Sequence, residues 1–292
     1  MNPVIALAIP FFVLTIVVEW RLLKNHDEHV GYHLKDSATS ISMGIGYLAL
    51  ATLYKVAFVA AYVLAYEYRV VDIGSFWWMW PIAVVAQDFC FYWFHRAGHE
   101  IRVMWAGHVN HHSSDHYNYS TALRQSWTEH LFGPIFWAPL ALIGVPVEVL
   151  IAIESFNLLY QYWLHTELIG SMGRFGLVFN TPSFHRVHHG RNLEYLDKNY
   201  AGTFIIWDRM FGTFEPEVAP VEYGIVKPLE SHNLFVVAFH EWSSLVKDVW
   251  AARTLRGKLG HILRPPGWRE DGEHQTVKAM LNHAAADHAP AE

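Results

Sequence analysis

Four apolar stretches set the narrowest limit on what this chain can become. Residues 3–19 (PVIALAIPFFVLTIVVE), 39–66 and 76–94 (FWWMWPIAVVAQDFCFYWF) each have the length of a bilayer-crossing helix, which needs about 20 residues. Residues 131–164 hold two shorter runs split around Val145-Pro146-Val147-Glu148, so they read as a hairpin that enters and leaves on one side. Lipid offers backbone groups no partner, so such runs must be helical. The third run carries aromatic residues at both ends, as interfacial anchors do. Only 16% of the 292 residues are charged, where soluble domains run nearer about 25%. A mean hydropathy of +0.13 still leaves room for a sizeable polar part. The expected fold is all-α: a multi-pass membrane helical protein with a polar helical cap.

Orientation follows from the positive-inside rule. With the N-terminus outside, loop 21–38 and everything from His95 to Leu131 face the cytoplasm, and the hairpin returns the rest of the chain there. Of the 21 Lys and Arg, Lys55 and Arg69 alone fall off that side. The first run lacks preceding basic residues and a small-residue cleavage site, so it reads as a retained helix rather than a signal peptide. The net charge of -6 gives no footprint for nucleic acid. The single cysteine, Cys90, excludes an internal disulfide and a thiolate metal site. The chain reads as transmembrane helices over 1–94, a catalytic region over 95–215 that includes the hairpin 131–164, an amphipathic helical region over 216–264, and a disordered tail over 265–292.

Histidine is abundant, with 20 in the chain. Nine fall in four places: His95 and His99; His108, His111 and His112; His165; and His185, His188 and His189. Spacings of three and four put side chains on one helix face, so each cluster projects together, and all lie on the cytoplasmic side. Imidazole suits zinc, copper, iron and nickel, and a structural zinc site closes with about four ligands. Nine candidates exceed one ion and suit two. A lone histidine near a membrane is usually an interfacial side chain; three clusters at ligand spacing on one face are not explained that way. His26, His29, His33, His116, His130, His232, His240, His261, His274, His283 and His288 have no such pattern and read as surface, loop or tail residues. Imidazoles holding two irons with open positions for O₂ would suit oxidation of an unactivated C–H bond, in a site kept dry and fed from the bilayer.

At these residues the chain resembles the fatty acid hydroxylase/sterol desaturase superfamily of membrane di-iron oxygenases, whose pattern is HxxxH, HxxHH and a final HxxHH. The resemblance spans about residues 80–215. It includes Tyr92-Trp-Phe-His95-Arg, Met104-Trp-Ala-Gly-His108, Thr121-Ala-Leu-Arg-Gln-Ser126, His185-Arg-Val-His-His-Gly-Arg-Asn192 and Trp207-Asp-Arg-Met-Phe-Gly-Thr-Phe214. The wording is most similar to the alkylglycerol monooxygenase branch. The resemblance implies that the nine histidines bind two non-haem iron ions and that Glu100 matters for catalysis, although Glu100 could equally pair with Arg96 one turn earlier. It implies a lipid substrate, O₂ and an external electron donor, with tetrahydrobiopterin as reductant. The reaction would hydroxylate the carbon beside an ether oxygen, giving a hemiacetal that collapses to an aldehyde and a free glycerol hydroxyl. Where fatty acid 2-hydroxylases carry a histidine four residues before the equivalent of His165, this chain has Gln161, which leaves one iron more open and favours the ether-lipid branch. Asp88, seven residues before His95, is a candidate to orient an imidazole, as are Asp197 and Asn199.

Residues 232–263 alternate apolar residues with Lys247, Arg253, Arg256 and Lys258, the pattern of an amphipathic helix on a membrane surface. Packing beneath the histidine region is the plainer alternative. Two other functions stand beside the ether-lipid reading: a sterol, carotenoid or acyl-chain hydroxylase or desaturase of the same superfamily, and a non-enzymatic metal-binding or transport protein. Transport needs polar groups strung through the membrane, and the runs hold little beyond Lys55 and Asp88. The sequence places the metal site on the cytoplasmic side of a bacterial inner membrane or the endoplasmic reticulum.

Overall fold

The computed structural model describes residues 3–24, 31–74 and 76–287; the expectations for His26, His29 and His288 lie outside them. Eleven α-helices are present among the described residues, and strands are absent apart from two isolated bridges, Phe179 with Phe204 and Gly190 with Tyr223. The first apolar run forms α1 (Pro3–Leu23), and the second forms α2 (Leu34–Glu67). At about 1.5 Å per residue, the 34 residues of α2 exceed a hydrocarbon core of about 30 Å. The excess is at its start, where Asp36, Ser37, Thr39, Ser40 and Met43 are buried in the polar domain. Beyond them α2 is mostly lipid-like in exposure, and it is long and apolar enough to cross a membrane.

The third run becomes α3 (Met79–Glu100), which continues past the apolar residues to carry His95 and His99. A break at Ile101 starts α4 (Arg102–His112). The hairpin is α5 (Gly133–Ile143) and α6 (Val147–Tyr162). Gly144 turns it at φ +121, where an added Cβ would collide with the Val71 carbonyl oxygen, so the position requires glycine. Helices α3, α5 and α6 enclose the main apolar core, with Phe94, Trp137, Leu140, Leu150 and Ile153 at its centre.

Two short helices, α7 (Pro182–His188) and α8 (Ile206–Phe211), follow. The expected amphipathic helix is broken in two, α9 (Leu234–Ala251) and α10 (Leu255–Leu263). Asn233 caps the first, accepting from the amides of Phe235 and Val236 at 3.0 and 3.2 Å. Thr254 caps the second, accepting from Gly257 N at 2.8 Å. Such side-chain acceptors satisfy amides that a helix start leaves free.

The tail expected to be disordered is folded from Pro265 to Asp287. Trp268 packs its ring 5.2 Å from His261 and against Gly260, where a Cβ would collide with it. Gln275 N donates to Gly267 O at 2.8 Å, and α11 (Val277–Asp287) follows. Composition hid this because the segment is polar apart from single anchors such as Trp268, and those are seated by glycines on α10.

Candidate metal centre

The fold gathers all nine histidines at one place and divides them into two sets. His95, His99, His108, His112 and His188 form one; His111, His165, His185 and His189 form the other; within each, the ligand atoms lie within 4.8 Å of one another. All but His111 are buried residues. The HxxHH runs do not project as units. In α4, His108 and His112 join the first set while His111 joins the second. In the α7 run, His185 and His189 join the second set while His188 joins the first. Each run therefore gives its i and i+4 rings to one set and its i+3 ring to the other, in opposite sense.

Ring orientation is fixed from behind. The Nδ1 atoms of His95, His165 and His188 face the carbonyl oxygens of Tyr200 (2.8 Å), Gln161 (2.9 Å) and Lys198 (2.9 Å). His111 Nδ1 faces Arg124 O at 3.3 Å. His108 Nδ1 faces a carboxylate, Glu129 Oε1, at 2.9 Å. A carbonyl or carboxylate only accepts, so each Nδ1 carries the proton and each Nε2 presents a lone pair. Those lone pairs face one another: His95 Nε2 to His108 Nε2 at 3.1 Å, and His165 Nε2 to His111 Nε2 at 3.3 Å. Neither pair can hydrogen-bond in that tautomer. Adjacent ligands of an ion with bonds of about 2.1 Å at right angles sit about 3.0 Å apart, so the spacing fits two imidazoles sharing a cation. The buried Nε2 atoms of His99, His188 and His189 find no protein partner either. The donor set fits a pair of ions.

Burial lowers the pKa of His95, His99, His112, His165 and His189, and in all of these but His165 neighbouring rings lower it further. His95 is pushed down to about 3 by burial first and His108 second, and His165 to about 4 by burial. His99, His112 and His189 move the same way. Neutral imidazole is the form that binds metal.

The surrounding acids correct part of the sequence reading. Asp88 orients no imidazole directly. Its carboxylate accepts from Asn157 Nδ2 (2.8 Å), Thr203 N (2.7 Å), Phe204 N (2.9 Å) and Trp207 Nε1 (3.0 Å), and so staples the loop whose Tyr200 carbonyl holds His95. The loop is gripped from its other side by Asp208, which accepts from Tyr200 N and Ala201 N at 2.8 and 2.9 Å; burial raises its pKa to about 6. Gln161 points its amide at Asn157 rather than at the imidazoles, and its backbone carbonyl does the orienting. It borders the four-histidine set. Asn199, at φ 55, clamps Phe184 O and Glu215 O and hydrogen-bonds none of the nine histidines. Asp197, at φ 58, lies 3.8 Å from His99 Nδ1; burial, then the Glu100 charge, raises it to about 7. Glu100 pairs with Arg96 at 2.9 Å and hydrogen-bonds none of the nine histidines.

Glu129 was not singled out from the sequence. It stands 21 residues from His108, outside any ligand-like spacing. Arg124 was quoted only as part of a motif, yet its buried guanidinium pairs with Asp36 of α2 and donates to Ser40 Oγ and Ser113 Oγ at 3.1 and 3.2 Å. Arg102 ties α4 to α9 through Glu241 (2.8 Å) and Asp248 (2.6 Å). The other described histidines lie outside both sets; His33 stacks on His116 at 5.4 Å, and His130 Nε2 meets Tyr47 Oη at 3.1 Å.

Two hollows differ in character. A cavity of about 1250 Å³ is lined by His99, His112, His188 and Asp197 together with Arg102, Lys227 and Trp268. A groove of about 690 Å³ runs along α3 between Pro81 and Cys90, is closed by Leu140, Ile143 and Trp207, and is lined by apolar atoms.

Residues 80–213 match the fatty acid hydroxylase family. The chain matches that family over a little under half of its length. It is 43% identical over 269 residues to the alkylglycerol monooxygenase of Homo sapiens, covering 89% of this chain and 59% of that protein. The alkylglycerol monooxygenase of Danio rerio is 42% identical over the same shares, and an ornithine lipid hydroxylase of Rhizobium tropici is 30% identical over 155 residues, 50% of this chain and 47% of that protein. The chain thus spans about 59% of the length of the alkylglycerol monooxygenases of Homo sapiens and Danio rerio. No solved structure matches it significantly.

Proposed function

We propose that this chain is a fatty acid hydroxylase, a membrane di-iron monooxygenase that hydroxylates the carbon beside the ether oxygen of an alkylglycerol lipid. The facing Nε2 lone pairs in two separate sets carry the reading, and the similarity to alkylglycerol monooxygenases over 89% of the chain supports the substrate. His95, His99, His108, His112 and His188 would hold one iron, and His111, His165, His185 and His189 the other. The bound irons supply the redox chemistry that activates O₂. The balance is one O₂, two electrons and two protons consumed, one oxygen inserted into the C–H bond and one released as water. The hemiacetal so formed breaks its carbon–oxygen bond to give an aldehyde and a free glycerol hydroxyl.

The chain's own residues set the conditions. Tyr200, Gln161 and Lys198 carbonyls and the Glu129 carboxylate fix the tautomers. The apolar groove along α3 takes the alkyl chain from the bilayer. The polar cavity admits the external electron donor, tetrahydrobiopterin, toward His99 and His188. Asp197, on the cavity wall and 3.8 Å from His99 Nδ1, has its pKa raised to about 7 by burial and then by the Glu100 charge, which suits it to pass protons. In this reading α1 and α3 cross the membrane beside α2, the α5–α6 hairpin enters and leaves it on one side, and the metal centre faces the cytoplasm; α2, long and apolar enough to cross, supports it.

Purified protein should contain about two irons and, with tetrahydrobiopterin and O₂, release a fatty aldehyde from an alkylglycerol. Protein that holds no iron defeats the metal reading. Two irons with no ether cleavage defeats the substrate reading, and the similarity to an ornithine lipid hydroxylase then makes acyl-chain hydroxylation of an aminolipid the reaction to assay.

A further inference from the structure

The outer faces of α9 and α10 are apolar without being covered. In α9, Phe235, Phe239, Val246 and Trp250 are all exposed, Trp250 at 81%. At about 100° per residue they fall within roughly 60° of one another. The opposite face, Val237, Ala238 and Leu245, is buried. In α10, Leu255, Leu259 and Leu263 repeat every fourth residue and are exposed at 73%, 47% and 58%. Lys247, Arg253, Arg256 and Lys258 flank these stripes, and none is in an ion pair among the described residues.

The stripe begins where α2 leaves the polar domain. Met43 of α2 packs with Val237 and Ala238, and Trp127 donates to Met43 O at 3.0 Å while its ring meets Phe235 and Phe239 at 5.8 and 6.1 Å. Just beyond, α2 exposes Ile45, Leu53 and Val56. The apolar surface of the candidate spanning helix therefore runs on into α9.

We propose that α9 and α10 form a platform embedded in the membrane surface, with their apolar stripes among the upper acyl chains and their four cations against anionic lipid headgroups. An exposed apolar face flanked by lysine and arginine is the composition that interfacial helices use, and cations at a negative leaflet add to the attraction. Because Arg102 binds Glu241 and Asp248 of α9, the platform fixes α4, and with it His108, His111 and His112, at a set height over the bilayer. The proposal rests on α2 spanning the membrane and not on the chemistry of the metal centre.

The full chain, in a Cys90→Ala background, is labelled with an environment-sensitive fluorophore at Trp250→Cys and placed in phosphatidylcholine nanodiscs with or without phosphatidylglycerol. Nitroxide carried high on the acyl chain should quench the label strongly, more so with phosphatidylglycerol, while a label at exposed Asp271→Cys stays unquenched. Replacing Lys247, Arg253, Arg256 and Lys258 by glutamine should remove the dependence on anionic lipid. A label at Leu53→Cys is the reference for α2. Quenching at 53 without quenching at 250 overturns the platform, whether the label at 250 reports water or an apolar cover formed by protein or a second copy. Loss of quenching at both positions overturns the membrane reading with it.

Discussion

Replacing Glu129 should loosen metal binding while leaving the fold in place. Among the five imidazoles held from behind through a hydrogen bond at Nδ1, His108 alone has a carboxylate there, at 2.9 Å, with side chains 4% and 14% exposed. Burial alone would raise the pKa of Glu129, but His108, with His130 and His95 behind it, outweighs that and lowers the value, so the acid is ionised. A hydrogen bond to a charged group contributes about 1.5–3 kcal/mol, and removing such a partner from a metal-bound histidine costs about 10–100-fold in affinity. Glu129→Gln keeps an acceptor oxygen and loses the charge, so the lower figure applies, about tenfold or about 1.4 kcal/mol. Glu129→Ala leaves the Nδ1 proton without a partner, so the upper figure applies, about 100-fold or about 2.7 kcal/mol. Titration of ferrous iron against a chelator of known affinity reads both, with elemental analysis at saturation showing that the stoichiometry is unchanged. Wild-type affinity in both variants would refute the argument. An equal loss in both would assign the effect to charge alone.

Three further outcomes follow from the same geometry. In iron-free protein the buried imidazoles stay neutral in the folded state down to about 3 for His95 and about 4 for His165, whereas unfolded histidine protonates near about 6.5. The unfolded chain then binds more protons, so stability should fall as pH drops below about 6.5, by up to about 1.4 kcal/mol per pH unit for each such ring; a melting midpoint independent of pH between about 6.5 and 5 would contradict this. Asp36→Asn strands the buried Arg124 guanidinium and should cost about 3–5 kcal/mol, read as a lower unfolding temperature in detergent, with a shift equivalent to under about 1 kcal/mol refuting it. Gln161→Ala should leave iron content unchanged, because the amide binds Asn157 and not a metal position; loss of one iron would show the amide to be a ligand.

The apolar helices were legible because long apolar runs have little choice but to be helical: the ends of the α5–α6 hairpin lie close to the ends of its runs, while α3 continues past its run to carry His95 and His99. The nine histidines were legible because three- and four-residue spacings on a helix imply a shared face. Their allocation was not. A run of HxxHH looks the same whether its middle ring joins its neighbours or crosses to the other set, and the choice depends on how α4 and α7 meet. The acids were illegible for a different reason. Asp88 acts on Thr203 N, 115 residues away, and Glu129 acts on His108 from a separate 3₁₀ turn, Glu129–Phe132, so neither leaves a local pattern. Glu100, which adjoins a motif, proved to pair with Arg96.

The crossed allocation of the two HxxHH runs bears on how such a centre could be assembled. His108 and His112 share α4 with His111 of the other set, and His185 and His189 share the α7 run with His188, so an ion held by either pair would steady the helix that presents a ligand to the other. Each ion would act as a template for its neighbour. Loading would then be steep rather than stepwise, with half-filled protein scarce at intermediate iron. The same reciprocity makes the centre unforgiving, since a wrong metal in one set distorts a helix on which the other set also depends.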